Sequence, residues 1–236
     1  MNDWRTYERF VAKLMAEQSG DDVTVIPNAR LAGSITGAKR QIDVLLDYRY
    51  GDEIEKRVIV DAKRHKRPID VKQVESFKGM MEDVRASRGI LVCPNGYTKA
   101  ALKRAQAAIT IHLVPLSDLE AFDPMSWDSC SNPKCKNGFV LWDTTPAISI
   151  NNGMWNIFAV SKCDECSYFN VWCWDCGQRF ALGHEDEHHC DCKGPWFWLT
   201  AIEDDSEDET KRLNAVYLLI VFSDGKHQVI DRRPLR

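Results

Sequence analysis

Eight of the nine cysteines lie between Cys130 and Cys192, and they come in four tight pairs. Cys130 and Cys135 are separated by four residues, Cys163 and Cys166 by two, Cys173 and Cys176 by two, and Cys190 and Cys192 by one. The opening residues, Met1 to Arg5, carry no apolar signal core, and no apolar run approaches the ~20 residues of a membrane span. The expectation is a soluble, cytoplasmic protein, in which paired thiols favour metal over disulfides. Eight thiols suffice for two tetrahedral zinc sites, with reduced core cysteines and an iron–sulfur cluster as the rival readings. The apolar stretches 138–142 and 147–150 are expected to form a β-hairpin between the first two pairs. That joins Cys130 and Cys135 to Cys163 and Cys166 at one zinc. Cys173, Cys176, Cys190 and Cys192 then make the second; His184, His188 and His189 in the same loop read as solvated loop residues, with replacement of a cysteine as the alternative. Six of the eight tryptophans fall between Trp142 and Trp198. Their alternative uses are packing around the metals and stacking on bases.

Charge adds a restriction. Residues 1–124 carry 20 Lys+Arg against 18 Asp+Glu, and residues 125–202 carry 5 against 9. Neither part is the strongly basic domain of a simple nucleic-acid binder, and thiolate-bound zinc would make the second part more negative still. Any nucleic-acid role must rest on local patches and on a site.

The first part has a legible element order. Residues 3–18 read as an amphipathic helix, with Trp4, Tyr7, Val11, Leu14 and Met15 at spacings of three and four. Glu8 sits on that apolar stripe, where a bare carboxylate is costly. A short strand over 23–26 is expected to end at Pro27, followed by a basic, glycine-containing loop from Arg30 to Arg40. Strands at 42–48 and 57–62 flank a turn at 51–53. A helix over 70–86 starts from a capping box of Asp70 and Gln73, with Ile69 and Val74 as a hydrophobic staple. A strand at 90–92, a helix at 98–108, a strand at 109–114 and a helical turn at 117–121 follow. The order α-β-β-β-α-β-α-β predicts an α/β fold, a mixed sheet flanked by helices. Composition shifts near Asp123 and Pro124. The expected organisation is a domain over 1–124, a small β-rich zinc-binding domain over 125–202, and an acidic linker with a C-terminal β-hairpin over 203–236.

The chemistry concentrates in one hairpin. If it centres on Asp52, Asp43 and Asp61 face each other, since each lies nine residues away. Like charges in that position are unfavourable, and a divalent cation between them removes the conflict. Asp61 and Lys63 alternate onto the same face. Two carboxylates suit Mg²⁺, a hard cation, and a neighbouring lysine suits the charge that develops on a phosphate. Glu8 can add a ligand or hold a water. Arg64, His65, Lys66 and Arg67 offer positive charge for flanking phosphates. Gln73 reads as a cap or as a site residue.

Residues 4–120 resemble the PD-(D/E)XK nuclease superfamily, above all its Mrr-like restriction endonuclease branch. The resemblance is carried by Glu8, by Gln41-Ile42-Asp43, by Val60-Asp61-Ala62-Lys63-Arg64, by the helix from Val74 to Gly79, by Gly89-Ile90-Leu91-Val92-Cys93 and by Tyr97-Thr98-Lys99-Ala100-Ala101. It implies a restriction-endonuclease-like sheet and Mg²⁺-dependent cleavage of DNA, often in restriction of foreign DNA. Asp43 and Asp61 would be the Mg²⁺ ligands, and Glu8, Asp43, Asp61 and Lys63 the catalytic set. It leaves room for a homodimer. Branch members often carry Glu or Gln where this chain has Asp61, which keeps a good Mg²⁺ ligand. The other readings are a structure-specific repair nuclease and a catalytically silent, zinc-containing nucleic-acid-binding adaptor.

Overall fold

The structure, a computed structural model, describes residues 4–20, 23–48, 57–63, 66–105, 109–113, 127–143, 146–151, 154–183, 185–191, 196–202, 215–222 and 224–234. The expected turn at 51–53, Arg64 and His65, the helical turn at 117–121, the composition shift at 123–124 and the acidic run 203–209 lie outside these. Two compact units are separated by contacts, Met1–Ser126 and Trp127–Leu235.

The first unit contains α1 (Trp4–Gln18), β1 (Val23–Ala32), β2 (Lys39–Tyr48), β3 (Val58–Ala62), α2 (Val71–Asp83), β4 (Arg88–Cys93), α3 (Lys99–Ala105) and β5 (Ile109–Leu113), in the order expected. The sheet runs β1-β2-β3-β4-β5, antiparallel through β3 and parallel from β3 to β5. Ile59, Val60, Leu91 and Val92 are all 0% exposed. Consecutive strand residues point to opposite faces, so both faces of the central strands are covered. α1 packs on β1, β2 and β3, and buries Tyr7, Val11, Ala12 and Met15. Trp4, at the start of the expected stripe, is instead exposed. α2 packs on β4, and α3 on β5 and α2. The capping box forms: Asp70 accepts from the Gln73 backbone at 3.0 Å, and Gln73 Oε1 accepts from the Asp70 backbone at 2.9 Å. Ile69 and Val74 are buried in the same cluster as Phe77, Ile59 and Leu91.

Strand β1 continues past Pro27, contrary to the expectation. It is the edge of the sheet, where the missing proline N–H removes no ladder bond. The expected basic loop is thereby reduced to a short turn between β1 and β2.

In the second unit, β6 (Asp128–Ser129) pairs with β7 (Phe139–Val140), and β8 (Ala147–Asn151) pairs with β9 (Met154–Lys162). The hairpin expected from 138–142 and 147–150 therefore does not form, because each run pairs antiparallel with a different strand. β10 (Phe169–Cys173) and β11 (Arg179–Leu182) complete a sheet ordered β11-β10-β9-β8. A second sheet holds β12 (Glu187–His189), β13 (Trp196–Ile202), β14 (Ala215–Val221) and β15 (His227–Pro234), in that order. The C-terminal hairpin β14–β15 is present, and β14 also pairs with β13, so it extends the sheet begun by residues 187–202. Phe158, Val171, Phe180, Phe197, Leu218 and Ile220 form one core between the sheets. Phe197 meets Phe158 edge-on at 5.0 Å and Phe180 at 5.1 Å. Among the described residues, no helix is long and apolar enough to cross a membrane.

The turn into β2 is fixed by an acid at the end of α2. Asp83 is 2% exposed. Its carboxylate accepts from the backbones of Ile35 and Thr36, both at 3.0 Å, from Thr36 Oγ1 at 2.7 Å and from Arg40 Nε at 2.6 Å. Ser34 adds bonds from its backbone and hydroxyl to the Asp83 carbonyl. Gly33 is obligatory here, because a Cβ at that position would strike the Asp83 carboxylate. The Thr36 hydroxyl, then the Arg40 guanidinium and the backbone donors, hold Asp83 well below the usual carboxylate range. A depressed folded-state pKa stabilises above the unfolded value and is lost as pH falls through the folded one. Asp83→Asn should therefore lower the unfolding temperature at neutral pH, and its difference from wild type should narrow on acidification below the ordinary carboxylate range. A deficit that is constant with pH would show that charge is not what holds the turn.

Candidate active site and cysteine clusters

Strands β2 and β3 pair as Val44 with Val60, Leu45 with Ile59 and Leu46 with Val58. The same register carried one step further sets Asp43 opposite Asp61, at the end of the hairpin away from its turn. Here the strands give way to side-chain bonding: Asp43 Oδ2 accepts from the Ala62 backbone at 2.8 Å. The backbone of Lys63 donates to the Val92 carbonyl at 2.8 Å, which ties the residue to β4. Lys63 Nζ lies 2.7 Å from Asp61 Oδ2, as the alternation of side chains requires.

Glu8 arrives from α1. It shares a hydrogen bond with Asp43, which shares another with Asp61. Three carboxyl groups thus converge with one lysine. Burial, then the charge of Asp43, pushes Glu8 up to about 8. Burial, then the charge of Asp61, pushes Asp43 up to about 6, against the lowering effect of the Ala62 backbone N–H. The donors are all oxygens, the set a hard divalent cation prefers, and mutual repulsion is what such an ion would relieve. The residues present fit Mg²⁺.

Beside this cluster lies a cleft of about 760 Å³. Asp61, Lys63 and Arg40 line it together with Asp70, Lys72, Gln73 and the α2 residues as far as Met80. Gln73 thus both caps α2 and faces the cleft. Lys66 and Arg67 are exposed, while Arg64 and His65 lie outside the described residues. Arg40 and Lys72 were not singled out from the sequence, where charges on an exposed helix or strand end carry no distinguishing signal.

In the second unit, the sulfurs of Cys130, Cys135, Cys163 and Cys166 all lie within 4.8 Å of one another. Asn132 N–H points at Cys130 Sγ and Glu165 N–H at Cys163 Sγ, both at 3.4 Å. The Asn170 amide reaches Cys130 Sγ at 3.7 Å while its Oδ1 accepts from Ser131 at 2.8 Å. Donors directed at sulfur fit thiolates. Gly138 makes room, because a Cβ there would strike the sulfurs of Cys163 and Cys135. Asn170 escaped the sequence reading. Its only signal is a polar residue inside the buried run Phe169–Val171.

A second cluster brings Cys173, Cys176 and Cys190 within 4.8 Å of one another, with Cys176 and Cys190 at 3.3 Å. Its knuckle repeats the first. Ser167 and Gly177 each stand four residues after a cysteine, at φ of 57° and 75°, and donate to the carbonyls of Cys163 and Cys173. Cys192 and His184 lie outside the described residues. Among those described, His188 stacks on Phe180 at 4.0 Å and His189 on Trp196 at 5.7 Å, and neither joins the cluster. Trp142, Trp172 and Trp174 make a row with ring spacings of 6.2 and 6.0 Å, and Arg179 lies over Trp172 at 4.3 Å. Cys93 is buried with its thiol on the Gly96 carbonyl at 3.4 Å.

The raised carboxyl groups have a consequence in the metal-free protein. A carboxyl whose folded-state pKa is raised binds its proton more tightly when folded, so it destabilises as pH climbs from its ordinary value towards the raised one. For Glu8 that window runs from 4.5 to about 8. In EDTA, Glu8→Gln should raise the unfolding temperature at pH 8, and the gain should fade towards pH 5. A variant less stable than wild type at pH 8 would mean that Glu8 is a favourable ion-pair partner and not a member of a repelling cluster.

No curated protein matches the chain. Among solved structures, the crystal structure of a protein of unknown function, AF1548, is similar with a TM-score of 0.41 and 16% sequence identity, over 57% of this chain and 73% of that one. The restriction endonuclease family Mrr_cat matches residues 1–122, the stretch that holds Glu8, Asp43, Asp61 and Lys63. With more than half of its length matched, this chain belongs to the Mrr_cat restriction endonuclease family.

Proposed function

We propose that the first unit is a Mg²⁺-dependent DNA endonuclease that acts in restriction of foreign DNA. The observation that carries this is the meeting of Asp43, Asp61 and Glu8 with Lys63, beside a cleft that Asp61, Lys63, Arg40 and Lys72 help to line. Asp43 and Asp61 would hold the cation, and Glu8 would hold a ligand water or complete the set. A hard divalent cation bound there supplies Lewis-acid charge to the scissile phosphate and acidifies the attacking water. The protein's own residues do the rest. The Ala62 N–H fixes the rotamer of Asp43, so the carboxylates are pre-positioned. Lys63, anchored on Asp61 in the free protein, is placed to orient the water or to neutralise charge developing on the phosphate oxygens. Arg40 and Lys72 lie along the cleft, where they can meet the phosphates flanking the cut. The family match supports DNA as substrate.

Asp43→Ala, Asp61→Ala and Lys63→Ala should each reduce plasmid cleavage in Mg²⁺ by at least about 10²-fold without unfolding the protein, the scale at which one preorganised electrostatic group contributes. Glu8→Gln should slow cleavage more than it weakens DNA binding. A folded Asp61→Ala variant that cleaves at the wild-type rate would sink the assignment. Running methylated and unmethylated plasmids side by side, with Mg²⁺ or EDTA, tests the restriction role.

For the second unit the reading is two structural zinc ions. The first is held by Cys130, Cys135, Cys163 and Cys166, the second by Cys173, Cys176, Cys190 and Cys192. Four sulfurs within 4.8 Å, with N–H groups directed at them, support the first site, and the repeated knuckle supports the second. Structural zinc contributes directly to folding. Elemental analysis should find two zinc ions per chain, and Cys163→Ser should destabilise the second unit while leaving Asp61 chemistry intact. One ion per chain, or iron, would refute the arrangement.

A further inference from the structure

Ile35 stands at the turn between β1 and β2 with 74% of its surface exposed, more than any other large hydrophobic side chain among the described residues. A single exposed isoleucine means little, but this one has an unusual mount. The bonds that Asp83 accepts from the turn come from the backbone N–H groups of Ser34, Ile35 and Thr36 and from the hydroxyls of Ser34 and Thr36, on either side of the Ile35 side chain. Gly33 and Gly37 close the turn with a backbone bond of 2.9 Å. The apolar side chain is therefore held out rigidly without being packed. The chain on either side of it is basic: residues 23–42 contain Arg30, Lys39 and Arg40 and no acid, and the one of these that meets the buried Asp83 is Arg40. Arg30 and Lys39 are exposed on the two strands that carry the turn. Arg40 ties the turn to the cleft, since it bonds Asp83 and also lines the cleft with Asp61 and Lys63.

A rigid apolar tip between cations, beside a cleft suited to a phosphodiester, matches one known use. Proteins that deform DNA insert an aliphatic side chain between base pairs while cations grip the phosphates on either side. We propose that Ile35 is such a wedge, entering the duplex beside the scissile phosphate so that the backbone bends into the cleft. The placement of the cut rests on the nuclease reading; the unstacking itself does not. The favoured substrate is then duplex DNA at deformable sites, such as pyrimidine–purine steps or mismatches. A protein-docking role for Ile35 would leave base stacking untouched.

The test uses the full chain and short duplexes with 2-aminopurine walked along one strand, with Ca²⁺ replacing Mg²⁺ for binding. Bound wild-type protein should raise the fluorescence at one step, and Ile35→Ser should abolish the rise while keeping the wild-type unfolding temperature. On matched duplex in Mg²⁺, Ile35→Ser should cleave about tenfold more slowly, since nothing then takes the place of the lost base stacking at the bent step. A mismatch at that step should erase most of the deficit. No rise with bound wild-type protein, or an equal rise with Ile35→Ser, overturns the wedge. An Ile35-dependent rise without cleavage of any DNA leaves the wedge standing and overturns the nuclease reading.

Discussion

The repulsion between Asp43 and Asp61 is the constraint around which the first unit is arranged. β2 and β3 cannot relieve it by sliding. A slip of one residue would turn Val44, Leu45, Ile59 and Val60 to the wrong faces, and all four are 0% exposed. The core thus holds the two acids in opposition. α1 then adds a third carboxyl group, Glu8, to the same place, and the charge of Arg5 on the same helix offsets the repulsion only in part. The favourable burial of an ordinary sheet is what stabilises an unfavourable carboxyl cluster, at a place where the proposed divalent cation would offset the repulsion. That is how functional sites hold strain within a folded chain.

Asp83 shows that burial of an acid does not by itself produce this state. Asp83 ends α2 and Asp43 lies within β2 of the same unit, and they are driven in opposite directions. Asp83 is given two backbone donors, a hydroxyl and a guanidinium, and so stays ionised. Asp43 is given one backbone donor and carboxyl neighbours, and is pushed towards neutrality. One carboxylate is satisfied by the fold and positions a turn. The other is left wanting and is available to a ligand. The number of donors against the number of like charges separates the two roles, where exposure alone would not.

What was legible in the sequence follows the range of the physics involved. The facing of Asp43 and Asp61 follows from period-two alternation and one turn centre, so counting from Asp52 gives the register. The cap on α2 is a contact over three residues, and it was equally readable. The Asp83 clamp spans 47 or 48 residues to its backbone donors, and an acid near a helix end offers no local hint of it. The extension of β1 past Pro27 depended on knowing which strand is the edge, a property of the whole sheet. In the second unit, cysteine spacing identified which thiols meet in the first cluster, yet the strands between them were mispaired. A knuckle constrains its own turn tightly and says little about which strand its flanks will join.

The two clusters also differ in what they can hold, and the difference keeps them from competing. The first offers carboxyl oxygens, some of them protonated near neutral pH until a cation displaces the proton. Oxygen donors of this kind suit hard ions, as the proposed catalytic cation would be. The second unit offers sulfur already directed by backbone and amide N–H groups, a donor set that selects soft or borderline ions and closes around them. Under the proposed assignment the thiols would draw zinc away from the carboxylates, and magnesium would prefer the carboxylates. Softness of the ligand atoms, more than the shape of either site, is what would send the two proposed metals to separate units of one chain.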